Sequence, residues 1–245
     1  MKIGIVGYGF VGKAVDFGFN KNVEKIIVDP ILNTSIGDLR PHNPEFIFIC
    51  VPTPMNSDGN QDSSIIENVL DEISKDFDES VVIVKSTVLP SIIERLSKSH
   101  NHFVYNTEFL REKTANEDFI NSHSLILGGE KGDLKRVAKL YNDHSNCKIN
   151  EVHETDVVSA SLVKYSINTF LASKVIFFNQ LYDIYQTLVS DIKWTEFIDM
   201  IKSDVRIGNS HMDVPGHDGR LGFGGACFPK DTAALLSLSK DIDKE

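Results

Sequence analysis

Lys2-Ile3-Gly4-Ile5-Val6-Gly7-Tyr8-Gly9-Phe10-Val11-Gly12-Lys13 opens the chain as an apolar, mostly β-branched run followed at once by G-x-G-x-x-G. That spacing carries meaning when a strand precedes it and a helix follows, and Lys13–Phe19 reads as the helix. Gly7 permits the tight turn, Gly9 lets a ligand approach the backbone, and Gly12 lets helix pack close against strand. The free N–H groups and positive dipole end of the helix then suit a pyrophosphate. A second apolar run, Lys25–Val28, ends in Asp29. A carboxylate there accepts both hydroxyls of a ribose and repels a 2′-phosphate, so the expected cofactor is NAD rather than NADP.

Beyond this unit, short apolar runs recur at Phe46–Val51, Val81–Val84, Phe103–Tyr105 and Leu125–Leu127. Several lack polar alternation, as strands buried on both faces of a parallel sheet do. Helical stretches (Ser64–Lys75, Pro90–Ser97, Asp133–Asn142) separate them, which predicts an α/β fold with a doubly wound Rossmann sheet over residues 1–150. From Glu154 to Val189 the apolar residues fall at helical spacing with no glycine or proline, predicting one long helix or two in line. That helix, a second at Lys193–Lys202, a loop with six glycines between Gly208 and Gly225, and a short helix after Asp231 make residues 151–245 an all-helical domain. The polar tail Ser239–Glu245 is expected to fray.

The formal charge of −10 over 245 residues argues against a nucleic-acid surface. No apolar run approaches the roughly 20 residues that span a bilayer. Three scattered cysteines, Cys50, Cys147 and Cys227, make neither a disulfide framework nor a metal motif and fit a reducing cytoplasm. His211 and His217, with Asp213 and Asp218, show no ligand spacing, so no metal is expected.

Further segments then add up. Val51-Pro52-Thr53-Pro54 follows the third strand and runs into Asp58-Gly59-Asn60-Gln61-Asp62; Lys85-Ser86-Thr87-Val88 follows the fourth. Asn106-Thr107-Glu108-Phe109-Leu110-Arg111-Glu112 follows the fifth, Lys164 and Asn168 lie on the long helix, and Gly222-Phe223-Gly224-Gly225-Ala226-Cys227-Phe228-Pro229-Lys230-Asp231 lies near the end. In this order they resemble the nucleotide-sugar dehydrogenase family, above all its UDP-glucose 6-dehydrogenases. The resemblance covers nearly the whole chain. It also implies a second Rossmann-like domain beyond the PKD motif; the sequence stops at Glu245, before that domain, as either a naturally short form or a fragment would. In addition, Thr107 stands where the family has proline, and the loop Asn209–Leu221 is longer than its counterpart.

The residues themselves fit such chemistry. Oxidising a primary alcohol to an acid removes four electrons in two steps, and a thiolate converts the intermediate aldehyde into an oxidisable thiohemiacetal and then a thioester. Cys227 has the glycine-rich, lysine-flanked setting for this. Cys50 and Cys147 read as buried small hydrophobes. Lys164 and Asn168, four apart on a helix, share a face and suit an oxyanion. Read without the family, Glu108 and Glu112 are capping or surface acids.

The resemblance implies more. Glu108 becomes the base for thioester hydrolysis, with Thr87 and Asp231 holding the water, and Glu112 lies near the nicotinamide. Gly7, Tyr8, Gly9, Phe10, Val11, Gly12, Asp29, Val51, Pro52, Thr53, Thr87, Glu112 and Lys230 become cofactor residues. Glu108, Phe109, Leu110, Arg111, Glu112, Lys164, Asn168 and Gly224 become substrate residues, with backbone N–H groups of 109–112 meeting the diphosphate. Arg206, in Asp204-Val205-Arg206-Ile207-Gly208, is expected to reach a neighbouring subunit's site. The implied activity is NAD-dependent oxidation of UDP-glucose to UDP-glucuronate for polysaccharide biosynthesis, by a homodimer joined through helix 154–189. UDP-N-acetylmannosamine or GDP-mannose are alternative substrates, and a non-catalytic NAD-binding, dimerising module is the alternative of another class.

Overall fold

A computed structural model describes residues 1–56, 60–189, 191–225 and 227–242. Asp58 and Gly59 of the post-strand segment, Ala226 of the cysteine loop and residues 243–245 of the tail lie outside the described residues. The chain divides into two compact units, Met1–Lys164 and Tyr165–Glu245.

In the first unit β1 (Lys2–Val6), α1 (Phe10–Gly18), β2 (Glu24–Val28), β3 (Phe46–Ile49), α2 (Ser64–Asp76), β4 (Val81–Val84) and α3 (Pro90–Leu96) follow in order. Then come β5 (Phe103–Asn106), α4 (Ala115–Ile120), β6 (Ser124–Gly129), α5 (Lys131–His144), β7 (Glu151–Thr155) and the opening turns of α6 (Val157–Leu188). The strands form one seven-stranded sheet in the order β2-β1-β3-β4-β5-β6-β7. Alternate residues of the apolar runs feed opposite faces. Ile3, Ile5, Phe48 and Ile83 pack on one side with Phe19, Phe119 and Tyr141. Ile47, Ile49, Val82 and Val84 pack on the other with Ile66, Leu70 and Ile93. Two covered faces explain why these strands carry no polar alternation.

The sheet departs from expectation in two places. β6 runs antiparallel to β5, and β7 pairs parallel to β6, so the sheet continues past the boundary expected at residue 150. β7 is an edge strand whose residues Glu151–Glu154 are exposed, so no apolar run announces it. α1 begins at Phe10 instead of Lys13, because Gly9 serves as its N-cap.

The second unit holds the rest of α6, α7 (Trp194–Lys202) and α8 (Phe228–Ile242), and a small core of Phe178, Ile198, Met212 and Val214 joins α6, α7 and the loop after α7. Trp194 packs edge-on between Tyr182 and Tyr185, with ring centroids 4.9 and 5.1 Å away. α6 is one helix of 32 residues, as a stretch without helix breakers allows. α8 starts at Phe228, so Asp231 lies in its first turn instead of preceding it, and Ser239–Ile242 continues the helix instead of fraying. Phe170, Phe177 and Ile184, seven residues apart along α6, are exposed together with Leu188. Among the described residues no helix is long and apolar enough to cross a membrane.

Candidate functional site

The cofactor turn lies where the strand order reverses, between β1 and β3, at the carboxyl ends of the strands, which is where open α/β sheets hold ligands. Gly7 has φ +90°, and a Cβ there would sit 2.8 Å from the Cys50 backbone. A Cβ on Gly12 would collide with the Gly7 carbonyl at 2.0 Å. Gly9 differs: a Cβ there would meet nothing within 4 Å. The glycines therefore divide into two that let the chain pack and one that leaves open space before the α1 N-terminus, whose first N–H groups no side chain caps. Phe10 and Val11 begin that helix. Asp29 accepts the Tyr8 N–H at 2.6 Å and the Ile31 N–H at 2.8 Å, which fixes its carboxylate beside the turn. The Tyr8 hydroxyl donates to Asp16 at 2.5 Å, and that bond raises its pKa to about 12. An open glycine cradle, an uncapped helix N-terminus and a fixed carboxylate together fit NAD.

The loops after β3 and β4 are tied together. Thr53 Oγ1 and Gln61 Nε2 both donate to the Thr87 carbonyl, at 2.7 and 2.9 Å, and Ser86 Oγ donates to the Val51 carbonyl at 2.6 Å. Val51 is buried, Pro52 exposed and Thr87 half-buried.

After β5 the chain carries Glu108, which is buried, not a surface acid. Its Oε2 lies 2.9 Å from Lys85 Nζ, and its Oε1 accepts the Leu110 N–H at 2.8 Å. Lys85 Nζ also donates to Asn106 Oδ1, which accepts the Tyr141 hydroxyl at 2.7 Å. Burial alone would depress the Lys85 ammonium, but the Glu108 carboxylate and Tyr141 outweigh it and leave its pKa above the ordinary value. Burial pushes the Cys50 thiol up to about 12 and raises Tyr141 as well. Across the neutral range this cluster holds one cation, a neutral thiol and a neutral phenol. Lys85, Asn106 and Tyr141 were not among the expected site residues. The signal was a lysine directly after a wholly apolar strand.

Lys164 Nζ donates to the Glu108 carbonyl and stands 4.9 Å from the Phe109 ring centroid. The loop 109–112 offers fewer backbone donors than expected. The Leu110 N–H is held by Glu108, and the Arg111 N–H goes to Asp118 at 2.9 Å, alongside the Arg111 guanidinium. Glu112 is exposed.

In the second unit Asp231 is only 1% exposed. Asn168 Nδ2 and Lys230 Nζ each lie 2.5 Å from one of its oxygens, and its N–H donates to the Cys227 carbonyl at 2.8 Å. Cys227 is half-buried and immediately precedes α8, a position where a helix stabilises anionic charge. Gly225, two residues earlier, has φ +80°, and a Cβ on Gly224 or Gly225 would meet nothing within 4 Å among the described residues. Arg206 is exposed and forks onto Asp204. The His211 ring lies 5.5 Å from that of Phe228, tilted by 47°, and no three metal-ligating side chains cluster among the described residues.

Sheet, glycine turn and Asp29 define an NAD-binding α/β protein with an appended helical unit. The NAD-binding domain of the UDP-glucose/GDP-mannose dehydrogenase family matches residues 32–145, and that family's central domain matches residues 158–245. The chain belongs to that family, and its cofactor is NAD. It is 35% identical over 209 residues to a UDP-glucose 6-dehydrogenase of Rickettsia bellii, covering 81% of this chain and 46% of the relative. Among solved structures it is similar to a UDP-glucose dehydrogenase from Pyrobaculum islandicum, with a TM-score of 0.78 and 24% identity over 98% of this chain and 64% of that one. It is also similar to a GDP-mannose dehydrogenase from Pseudomonas aeruginosa, with a TM-score of 0.68 and 25% identity over 100% and 66%. The chain thus spans about half the length of the Rickettsia relative.

Proposed function

We propose that the protein oxidises the primary alcohol of a sugar nucleotide to the carboxylic acid, converting UDP-glucose to UDP-glucuronate. The observation that carries this reading is the buried Asn168–Asp231 pair, with Lys230 on its second oxygen, one helical turn from Cys227. Residues 7–12, Asp29 and the loops at Val51–Thr53 and Thr87 would hold NAD, which would supply the two-electron acceptor for each oxidation. The chain's own groups do the rest. Lys164 and Asn168 stabilise the oxyanion that forms and collapses. Cys227 captures the aldehyde as a thiohemiacetal, which the second oxidation turns into a thioester. Glu108 takes a proton from the water that cleaves it, with Thr87 and Asp231 orienting that water. In this reading Glu112 and Lys230 serve the cofactor, Phe109–Glu112 and Gly224 serve the substrate, and Arg206 serves the substrate of a neighbouring subunit.

Likeness to the Rickettsia enzyme favours UDP-glucose. The Pseudomonas structure favours GDP-mannose as the second reading. The exposed Phe170–Phe177–Ile184–Leu188 stripe supports a homodimer through α6, since contiguous apolar surface of this kind marks interfaces. Three unpaired cysteines fit a reducing cytoplasm. The test is NADH formation with a panel of sugar nucleotides. UDP-glucose is expected to yield two NADH per molecule, and Cys227→Ser to form no acid. Acid formation by that variant overturns the thiol route, and preference for GDP-mannose reassigns the substrate.

A further inference from the structure

We infer that Lys85 is a positioning residue that holds the Glu108 carboxylate in the orientation needed to cleave the thioester. This rests on the function proposed above. Lys85 follows β4, and its side chain is 4% exposed beside a Glu108 that is 8% exposed. Burying an ammonium is costly, and a hydrophobic pair of like volume often serves stability as well, so the charge has a use beyond packing.

The geometry supplies that use. β4 and β5 pair in parallel with Val84 opposite Tyr105, which brings Lys85 and Asn106 side by side. Lys85 is fixed at 3.1 Å by Asn106, which Tyr141 and the Ile126 carbonyl hold in turn. Each Glu108 oxygen has its own donor, Lys85 Nζ on Oε2 and the Leu110 N–H on Oε1. The carboxylate cannot pivot, yet each oxygen retains lone-pair capacity for a water. In the step it serves, the water oxygen bonds to the thioester carbonyl carbon while a water proton passes to Glu108. The carbon–sulfur bond then breaks, releasing the acid and leaving Cys227 as thiolate. A base misaimed by an ångström costs up to about 100-fold.

The experiment measures turnover and, by intact mass, covalent sugar adduct on the protein for wild type, Lys85→Met, Lys85→Arg, Glu108→Gln and Lys85→Met/Glu108→Gln. Lys85→Met is expected to lower kcat about 10- to 100-fold, leave KM for the sugar nucleotide within about twofold and accumulate the adduct. Lys85→Arg should restore most of kcat, and Lys85→Met should add no loss on top of Glu108→Gln. If Lys85→Met does not fold, Lys85→Gln, which is neutral and ends one bond shorter and so draws the donor back from the carboxylate, carries the same test. Losses that add across the two sites, or a slow Lys85→Met with no adduct, overturn the inference while the parent function stands. A wild type that forms no NADH with any sugar nucleotide overturns both.

Discussion

Lys85–Glu108 in the first unit and Lys230–Asp231 in the second are both lysine–carboxylate pairs with a buried acid, and they are built differently. In the first, both partners are buried, the Leu110 N–H holds the Glu108 carboxylate, and Asn106, itself braced by Tyr141, holds the Lys85 ammonium. In the second, Asp231 is buried but the Lys230 side chain is 23% exposed, and the two are neighbours in sequence. A clamped pair fixes a group in place. A pair with one end in solvent can exchange its lysine for a ligand while Asn168 keeps hold of the acid. The two lysines therefore differ in kind: Lys85 belongs to the scaffold, whereas Lys230 is available to a bound molecule.

The largest effect is expected on stability in the first pair. Glu108→Leu strands the Lys85 ammonium and should lower unfolding free energy by about 3–5 kcal/mol, most of it recovered in Glu108→Leu/Lys85→Met. Lys230→Met should cost only about 1 kcal/mol, because solvent reaches that lysine. Denaturant melts of the three variants decide this, and equal losses for Glu108→Leu and Lys230→Met would break the comparison. Next comes Asp231→Asn, which keeps the shape and the Asn168 contact but not the charge. It should lower kcat on the order of 100-fold with little change in melting midpoint; a variant with wild-type kcat would remove Asp231 from the chemistry.

The two pairs were unequally legible. Lys230, Asp231 and Cys227 stand together in one motif, so the sequence displays them together even though it does not say which way Lys230 points. Lys85 and Glu108 meet because β4 and β5 are neighbours in register, and nothing in either segment says so. The same logic runs through the fold. Gly7–Gly12 was legible because its work is done by backbone, and the buried strands because their runs are continuous. β7 was not, since an exposed edge strand needs no apolar pattern, and the reversal of β6 was not, since Leu125–Leu127 reads alike in either direction. The commitment of the Arg111 N–H to Asp118 is likewise a local hydrogen bond that no motif marks.

Two smaller effects sharpen how rigidly the first pair's loop is held. The Thr107 hydroxyl, next to Glu108, is buried without a hydrogen-bond partner among the described residues. Thr107→Val keeps its shape and the backbone N–H that donates to the Ile126 carbonyl, so it should stabilise the fold by about 1 kcal/mol in a denaturant melt. A loss would mean that the hydroxyl is engaged.

The smallest effect is a pH dependence at Asp118, which receives the Arg111 guanidinium, the Arg111 N–H and Thr114 Oγ1. The hydrogen bonds from Arg111 hold its carboxyl below the usual carboxylate range. A carboxyl depressed in the folded state adds stability that is fully present above its unfolded pKa of about 3.9 and is lost as pH falls through the folded value. Wild type should therefore lose its margin over Asp118→Asn on acidification below about pH 4, and the two should run parallel from there to neutrality. Because Arg111 is largely exposed, the margin should be under about 1 kcal/mol and shrink in salt. Curves that stay parallel through the acid range would show that the loop bearing Glu108 is held by the buried Lys85 pair alone, which would widen the contrast between the two units.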